Sequence, residues 1–173
     1  VMKINKITIM ALVLGLTCLT SCSDFLNRQP TNSGNADEAI ATQRDAEVAI
    51  NGMMFKMSSS SYYGRNFLLY GDAKGGDLTI YTNGRGNDNL YTFNHTPTSG
   101  TYQAFWSQIY DCIMQANNLI ENIDKRQADG STALNYYKGE ALSLRALFYF
   151  DLVRLYGLPY NYNKTSYGVP LVL

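Results

Sequence analysis

The sequence predicts an all-α domain in which two long amphipathic helices form a hairpin and a third helix packs against them. Three observations carry that prediction. Leu134, Tyr137, Ala141, Leu144, Phe148, Leu152 and Leu155 recur at intervals of three or four, the period of a helix with one buried face. Tyr102, Phe105, Trp106, Ile109, Ile113, Ala116, Leu119, Ile120 and Ile123 form a second stripe of the same kind. The polar link between the two, Asp124 to Gly130, is short, and long helices joined so closely pack antiparallel. At 173 residues the chain is long enough for one domain with its own core.

Taken in order, the chain opens with Met2, Lys3 and Lys6 and an apolar run from Ile7 to Leu19 that ends in Leu19-Thr20-Ser21-Cys22. That run is too short to span a bilayer comfortably and has the layout of a secretory signal peptide; a buried core helix is the alternative. Leu-Thr-Ser-Cys resembles the bacterial lipobox, which implies cleavage before Cys22 and acylation of its thiol and new amino terminus. Several acyl chains hold a protein to a membrane far better than one. Residues 1–21 are therefore expected to be removed, leaving a chain lipidated at Cys22 and tethered without spanning. Asp24, just beyond, resembles the surface-export signal of some Gram-negative lipoproteins. Residues 22–35, with Pro30, Ser33, Gly34 and several asparagines, read as the tether, and residues 36–173 as the helical domain.

After a brief turn around Asp37 to Ala41, the first helix is placed at Gln43 to Met57. Thr42 and Asp45 form a capping-box pair, and Ala46, Ala49, Ile50, Met53 and Met57 line one face. Gly52 weakens this helix by about 1 kcal/mol relative to Ala. Ser58 to Ser61 break the pattern, and no helical period reappears before Gly100. This long irregular region between the first and second helices is rich in Gly, Asn and Tyr, and such segments usually carry function. The second helix follows, then a third spanning Lys138 to Pro159. Ser131 is its expected N-cap, Gly157 its left-handed C′ residue, and Pro159 forbids continuation. Tyr160, Tyr162, Tyr167 and an apolar Gly168–Leu173 segment complete the chain.

Charge and composition narrow the function. Fourteen basic residues balance 14 acidic ones, and loss of Lys3 and Lys6 with the leader leaves 12 against 14, a net charge of about −2. There is no global field for nucleic acid. The 14 tyrosines, against 7 phenylalanines and one tryptophan, suit wet recognition surfaces as well as cores. Cys18 lies within the leader's apolar run and Cys22 at its end, and Cys112 reads as a small core filler; with His95 the sole histidine, zinc is not expected. No other metal or cofactor is expected either.

No catalytic constellation stands out. His95 sits in an Asn-His-Thr-Pro loop without a nucleophile elbow. Gly84-Arg85-Gly86-Asn87 lacks the strand-to-helix setting of a phosphate loop. Asp72 and Asp77 flank a glycine-rich turn and make a weak acid pair for glycoside hydrolysis; with Asp88 they offer hard oxygens, but at no EF-hand spacing. Glu140 and Arg145, five apart, are each expected to reach a neighbouring helix or loop backbone. Asp151 and Arg154 read as a routine i,i+3 pair. Tyr110, Tyr137, Tyr149 and Tyr156 belong to core or rim. Tyr81 and Tyr91, beside Asn83, Arg85, Asn87 and Asn89, combine aromatic faces with amide and guanidinium donors, the two kinds of group that bind sugars.

Several runs converge on one family. Cys22-Ser23-Asp24-Phe25-Leu26, Ala49-Ile50-Asn51-Gly52-Met53, Trp106 through Tyr110 to Asn117, and Gly139-Glu140-Ala141-Leu142-Ser143-Leu144-Arg145-Ala146 resemble the SusD/RagB lipoproteins. So do Tyr149-Phe150-Asp151-Leu152-Val153, Tyr156-Gly157-Leu158-Pro159 and Tyr167-Gly168-Val169-Pro170-Leu171. The resemblance implies an all-helical fold of tetratricopeptide-like pairs, of which this sequence is the N-terminal portion. It implies an outer-membrane, cell-surface lipoprotein that captures oligosaccharides or peptides without cleaving them and passes them to a SusC-like TonB-dependent transporter. Trp106, Glu140 and Arg145 are then framework. Asp72, Asp77, Tyr81, Asn83, Arg85 and Tyr91 are the candidate ligand contacts from loop chemistry. A helical-repeat lipoprotein that binds protein only is the alternative, and a glycosidase using Asp72 or Asp77 a third reading.

Overall fold

The computed structural model describes residues 40–79, 88–94, 96, 98, 100–128 and 130–173. Among them are five helices, α1 (Gln43–Met57), α2 (Asn66–Gly75), α3 (Asp88–Tyr91), α4 (Gly100–Arg126) and α5 (Asn135–Tyr156), and no strand. The expected leader, Cys22 and the expected tether lie outside the described residues. None of the described helices is long and apolar enough to cross a membrane.

α1 begins where its capping box places it. The Thr42 hydroxyl accepts from the Asp45 N–H at 3.2 Å, and the Asp45 carboxylate accepts from the Thr42 N–H at 2.8 Å. These Thr42 hydrogen bonds hold the Asp45 carboxyl below its ordinary value. A lowered carboxyl stabilises the fold above the ordinary carboxylate range and stops doing so as pH falls through the lowered value. Thr42→Ala is therefore expected to cost about 1 kcal/mol at neutral pH, and Asp45→Asn to flatten the loss of stability between neutral and acid pH. Urea midpoints with the same acid dependence in wild type and Asp45→Asn would contradict this.

The core follows from the predicted stripes. Phe105, Ile109, Cys112, Ile113, Ala116 and Ile123 of α4 are fully buried, as are Ala141, Phe148 and Leu152 of α5, and Ala46 and Met53 of α1. α4 and α5 run antiparallel. Lys138 near the start of α5 pairs with Asp124 near the end of α4, and Tyr156 at the end of α5 meets Trp106 near the start of α4, ring centroids 4.8 Å apart. α1 covers this hairpin, tied to α4 by the Lys56–Asp111 ion pair and by Gln108 Nε2, which donates to the Lys56 carbonyl at 3.3 Å. Cys112 is a filler as read: a free thiol, fully buried, and pushed up to about 11 by that burial, which leaves it unreactive.

Three local expectations are corrected. The region between the first two long helices contains α2, whose Asn66, Tyr70 and Ala73 are buried at i, i+4 and i+7. Gly71, Gly75 and Gly76 obscure that short period in the sequence, and Gly76 ends the helix in the left-handed region at φ 83°. Ser131 does not cap α5. It accepts from the Ala133 N–H at 3.5 Å in the preceding turn, while Leu134, buried and without a side-chain cap bond, occupies the N-cap. Gly157 is extended, at φ −86° and ψ 159°, not left-handed. Its need for glycine is close approach: a Cβ there would lie 2.7 Å from the Val153 carbonyl oxygen.

Beyond α5 the chain folds back along the hairpin. Val169 packs on the core, and three side chains hold the backbone that follows. The Tyr110 hydroxyl donates to the Pro170 carbonyl at 2.8 Å, and the Asn117 amide to the Val172 carbonyl at 2.9 Å. The Tyr149 hydroxyl donates to the Val172 carbonyl at 2.6 Å and accepts from its N–H at 2.7 Å.

Candidate functional site

The region expected to hold ligand is built on a second, smaller core. Tyr70 and Ala73 of α2 pack with Leu90 of α3, which is fully buried, and with the half-buried Leu155 of α5. Phe105 links this cluster to the main core, its ring 6.4 Å from Tyr70 and 5.7 Å from Tyr62. The Lys74 ammonium donates to the Tyr70 hydroxyl at 2.8 Å and lies 4.6 Å from the centre of that ring. So α2 and α3 are seated on the hairpin by burial, and their outward residues have a fixed base.

Asp72 is exposed on α2, and Asp77 is exposed just past the Gly76 cap. It is the backbone that joins them: the Asp72 carbonyl accepts from the Asp77 N–H at 3.0 Å and the Leu78 N–H at 3.3 Å. Tyr91 closes α3 and is 40% exposed. Tyr81, Asn83, Arg85 and His95 lie outside the described residues, as does the side chain of Asp88. Among the described residues no group of three His, Cys, Asp or Glu is arranged to hold a metal.

The turn after α3 holds a residue the sequence did not single out. The Phe93 N–H donates to the Leu90 carbonyl at 3.1 Å and the Asn94 N–H to the Asn89 carbonyl at 2.9 Å, the paired bonds of a Schellman motif. Phe93 takes the position usually given to glycine, at φ 57°. A side chain in that conformation costs about 1–2 kcal/mol. Burial does not offset this, because Phe93 is 65% exposed. Lys74 lies 6.0 Å from the ring centre, an exposed cation–π contact worth about 0.5–1 kcal/mol at best. Backbone sign is not written in residue type, so nothing in the sequence pointed to Phe93.

The framework residues fall where their chemistry is satisfied. Trp106 is half-buried between Tyr156 and Tyr110, the latter 5.0 Å away. Arg145 reaches across the hairpin and donates to the side-chain Oδ1 of Asn117 at 2.9 Å, orienting the amide that grips Val172. Glu140 turns back along its own helix to Tyr136, whose hydroxyl it holds above its ordinary value.

Asp151 is a larger correction. It is fully buried, and beyond the expected i,i+3 bond from Arg154 at 2.8 Å it collects two more donors, Tyr62 at 2.5 Å and Tyr63 at 2.8 Å. Arg154 also lies over the Phe67 ring, 4.5 Å from its centre. The knot fastens the turn between α1 and α2 to α5. Its signal was the register, since Asp151 follows Phe148 by three and precedes Leu155 by four on the buried face.

Against known proteins, the family model described as "Starch-binding associating with outer membrane", SusD-like_3, matches residues 24–172. The chain belongs to the SusD-like family. SusD-like protein P2 of Formosa agariphila is 36% identical over 165 residues, which are 92% of this chain and 31% of that protein. SusD-like protein P38 of the same organism is 29% identical over 98% of this chain and 31% of its own length. A crystal structure of a SusD superfamily protein from Bacteroides vulgatus superposes with a TM-score of 0.66 at 35% identity, over 75% of this chain and 30% of that one. The chain spans about a third of the length of these relatives. Its helical pairs have the tetratricopeptide-like arrangement of the SusD-like fold, as the resemblance implied. Within the SusD-like run from Gly139 to Val153, Arg145, Tyr149 and Asp151 each hold another part of the chain in place.

Proposed function

We propose that this chain is part of a surface lipoprotein that binds oligosaccharides and delivers them to a SusC-like TonB-dependent outer-membrane transporter. The observation that carries the reading is the match of residues 24–172 to a family described as starch-binding and outer-membrane associating. The lipobox at Leu19–Cys22 supports a signal peptide of residues 1–21, acylation of Cys22 and anchoring at the outer membrane, with residues 22–35 as the tether. The helical domain begins beyond it. Asp72, Asp77, Tyr81, Asn83, Arg85 and Tyr91 supply the ligand contacts, and the protein binds without cleaving. Asp72 and Asp77 act here as hydrogen-bond acceptors for sugar hydroxyls.

Affinity electrophoresis of the full-length protein, in gels containing amylopectin, xylan or polygalacturonate, tests the reading. Retardation by at least one polysaccharide, with no release of reducing ends, is expected. Co-purification with a TonB-dependent transporter but no retardation in any gel would replace it with a protein-binding role. Hydrolysis abolished by Asp72→Asn or Asp77→Asn would replace it with a glycosidase.

A further inference from the structure

We propose that the outer face of α5 is the seat of a further helix, one that belongs to the same polypeptide and lies outside these 173 residues. Gly139, Leu142, Ala146, Phe150 and Val153 recur along α5 at intervals of three or four, with Ser143 beside them, and all six are exposed. This stripe lies opposite the buried one of Ala141, Phe148 and Leu152. The charged residues between Gly139 and Val153, namely Glu140, Arg145 and Asp151, all lie off it. A helix face that meets water carries charges, and a helix that is apolar on opposite sides is packed on both.

The small residues of the stripe select the occupant. Glycine is a poor helix former, and a Cβ built on Gly139 would meet no atom of the described residues within 4 Å. A backbone pressed close against that position accounts for it. One turn on, the Ser143 hydroxyl turns back to donate to the Gly139 carbonyl at 2.9 Å, so it does not project as a free polar group. With Ala146 these make a row of small side chains over which another helix axis can come near. Beside the row a groove of about 560 Å³ runs between α1 and α5, walled by Met54, Tyr136 and Leu144. The partner helix sets bulky apolar side chains over Gly139 and Ser143 and smaller ones over Phe150, which is 60% exposed. The stripe is one helix wide, far short of the roughly 20–30 residues a side that hold separate proteins together. A helix of the same polypeptide needs no such area, because the connecting chain supplies a high effective concentration. SusD-like proteins have the length to supply it: this chain matches 31% of P2 and 31% of P38.

The test uses the purified full-length protein as wild type, Gly139→Leu and Ser143→Cys. Leucine is a far better helix former than glycine, so on a free surface Gly139→Leu would raise the urea midpoint. Beneath a closely packed helix it is expected to lower it, by overpacking. The Ser143→Cys thiol, counted above the labelling of wild type, is expected to react with a maleimide at least about tenfold more slowly in the folded protein than in urea, at every protein concentration. A raised or unchanged midpoint for Gly139→Leu overturns the proposal. So does labelling of folded Ser143→Cys that is slowed less than about tenfold, which leaves the face open in the purified protein; this readout stands even where Gly139→Leu fails to fold. Protection that disappears on about hundredfold dilution overturns it in favour of a second copy. No glycan enters either measurement, so the outcome is independent of the carbohydrate reading.

Discussion

Replacing Asp151 by alanine is expected to destabilise the fold by about 3 kcal/mol. The carboxylate is fully buried and is the shared acceptor of Tyr62, Tyr63 and Arg154. Tyr62 is itself fully buried, so its hydroxyl would be orphaned, at about 1–3 kcal/mol. Tyr63 is half-buried and the Arg154 side chain is 43% exposed, so both regain water and add less. Tyr62→Phe, which leaves Asp151 two donors, is expected to cost about 1 kcal/mol. A urea midpoint for Asp151→Ala equal to that of wild type would show that the knot contributes nothing.

The same knot sets an alkaline limit. Burial, and then the Asp151 carboxylate, push the Tyr63 hydroxyl up to about 12 and the Tyr62 hydroxyl higher still, against an ordinary value of 10.0. In the unfolded chain both ionise near 10 while the folded chain keeps them neutral. Stability is therefore intact below pH 10 and falls as pH rises beyond it. The double variant Tyr62→Phe, Tyr63→Phe should flatten that decline.

Phe105→Ala is expected to cost about 3–5 kcal/mol, the range for deleting a buried phenyl ring. The ring is fully buried and lies among Tyr62, Phe67, Tyr70 and Tyr156, with centroids 5.7 to 6.4 Å away. It is where the two cores meet, so the effect should be uneven. Amide exchange in α2 is expected to accelerate more than exchange in α1, because the small cluster of Tyr70, Ala73 and Leu90 is left with Leu155 as its described packing contact on the hairpin. Equal acceleration in both helices would mean that Phe105 serves the main core alone.

Elements that announce themselves by period were legible in the sequence. Ala46, Ile50 and Met53, with the Thr42–Asp45 box, placed α1 at the boundaries the structure has, Gln43–Met57. The α4 and α5 stripes foretold the buried faces, and the SusD-like resemblance carried by Gly139 to Ala146 holds. α2 escaped because ten residues with two glycines hold too few turns to show a period, and its seat depends on Leu90 and Leu155, far along the chain. Asp151 escaped for another reason: an i,i+3 partner explained it locally, and the tyrosines that claim it are 88 and 89 residues away. At the candidate site, residue types suggested sugar chemistry around Tyr91, but the left-handed backbone of Phe93 is set by how α3 terminates.

The hold on the final segment has its own consequence. The hydrogen bonds from Tyr110, Asn117 and Tyr149 go to main-chain atoms of Pro170 and Val172, while the side chains of Leu171 and Leu173 are left largely in solvent. Recognition that ignores side chains makes the two partners unequal in what they tolerate. Many residue types can occupy position 171 without disturbing the docking, whereas loss of a single hydroxyl or amide on the helices loosens it. The path of the chain beyond α5 is thus specified by the hairpin it crosses.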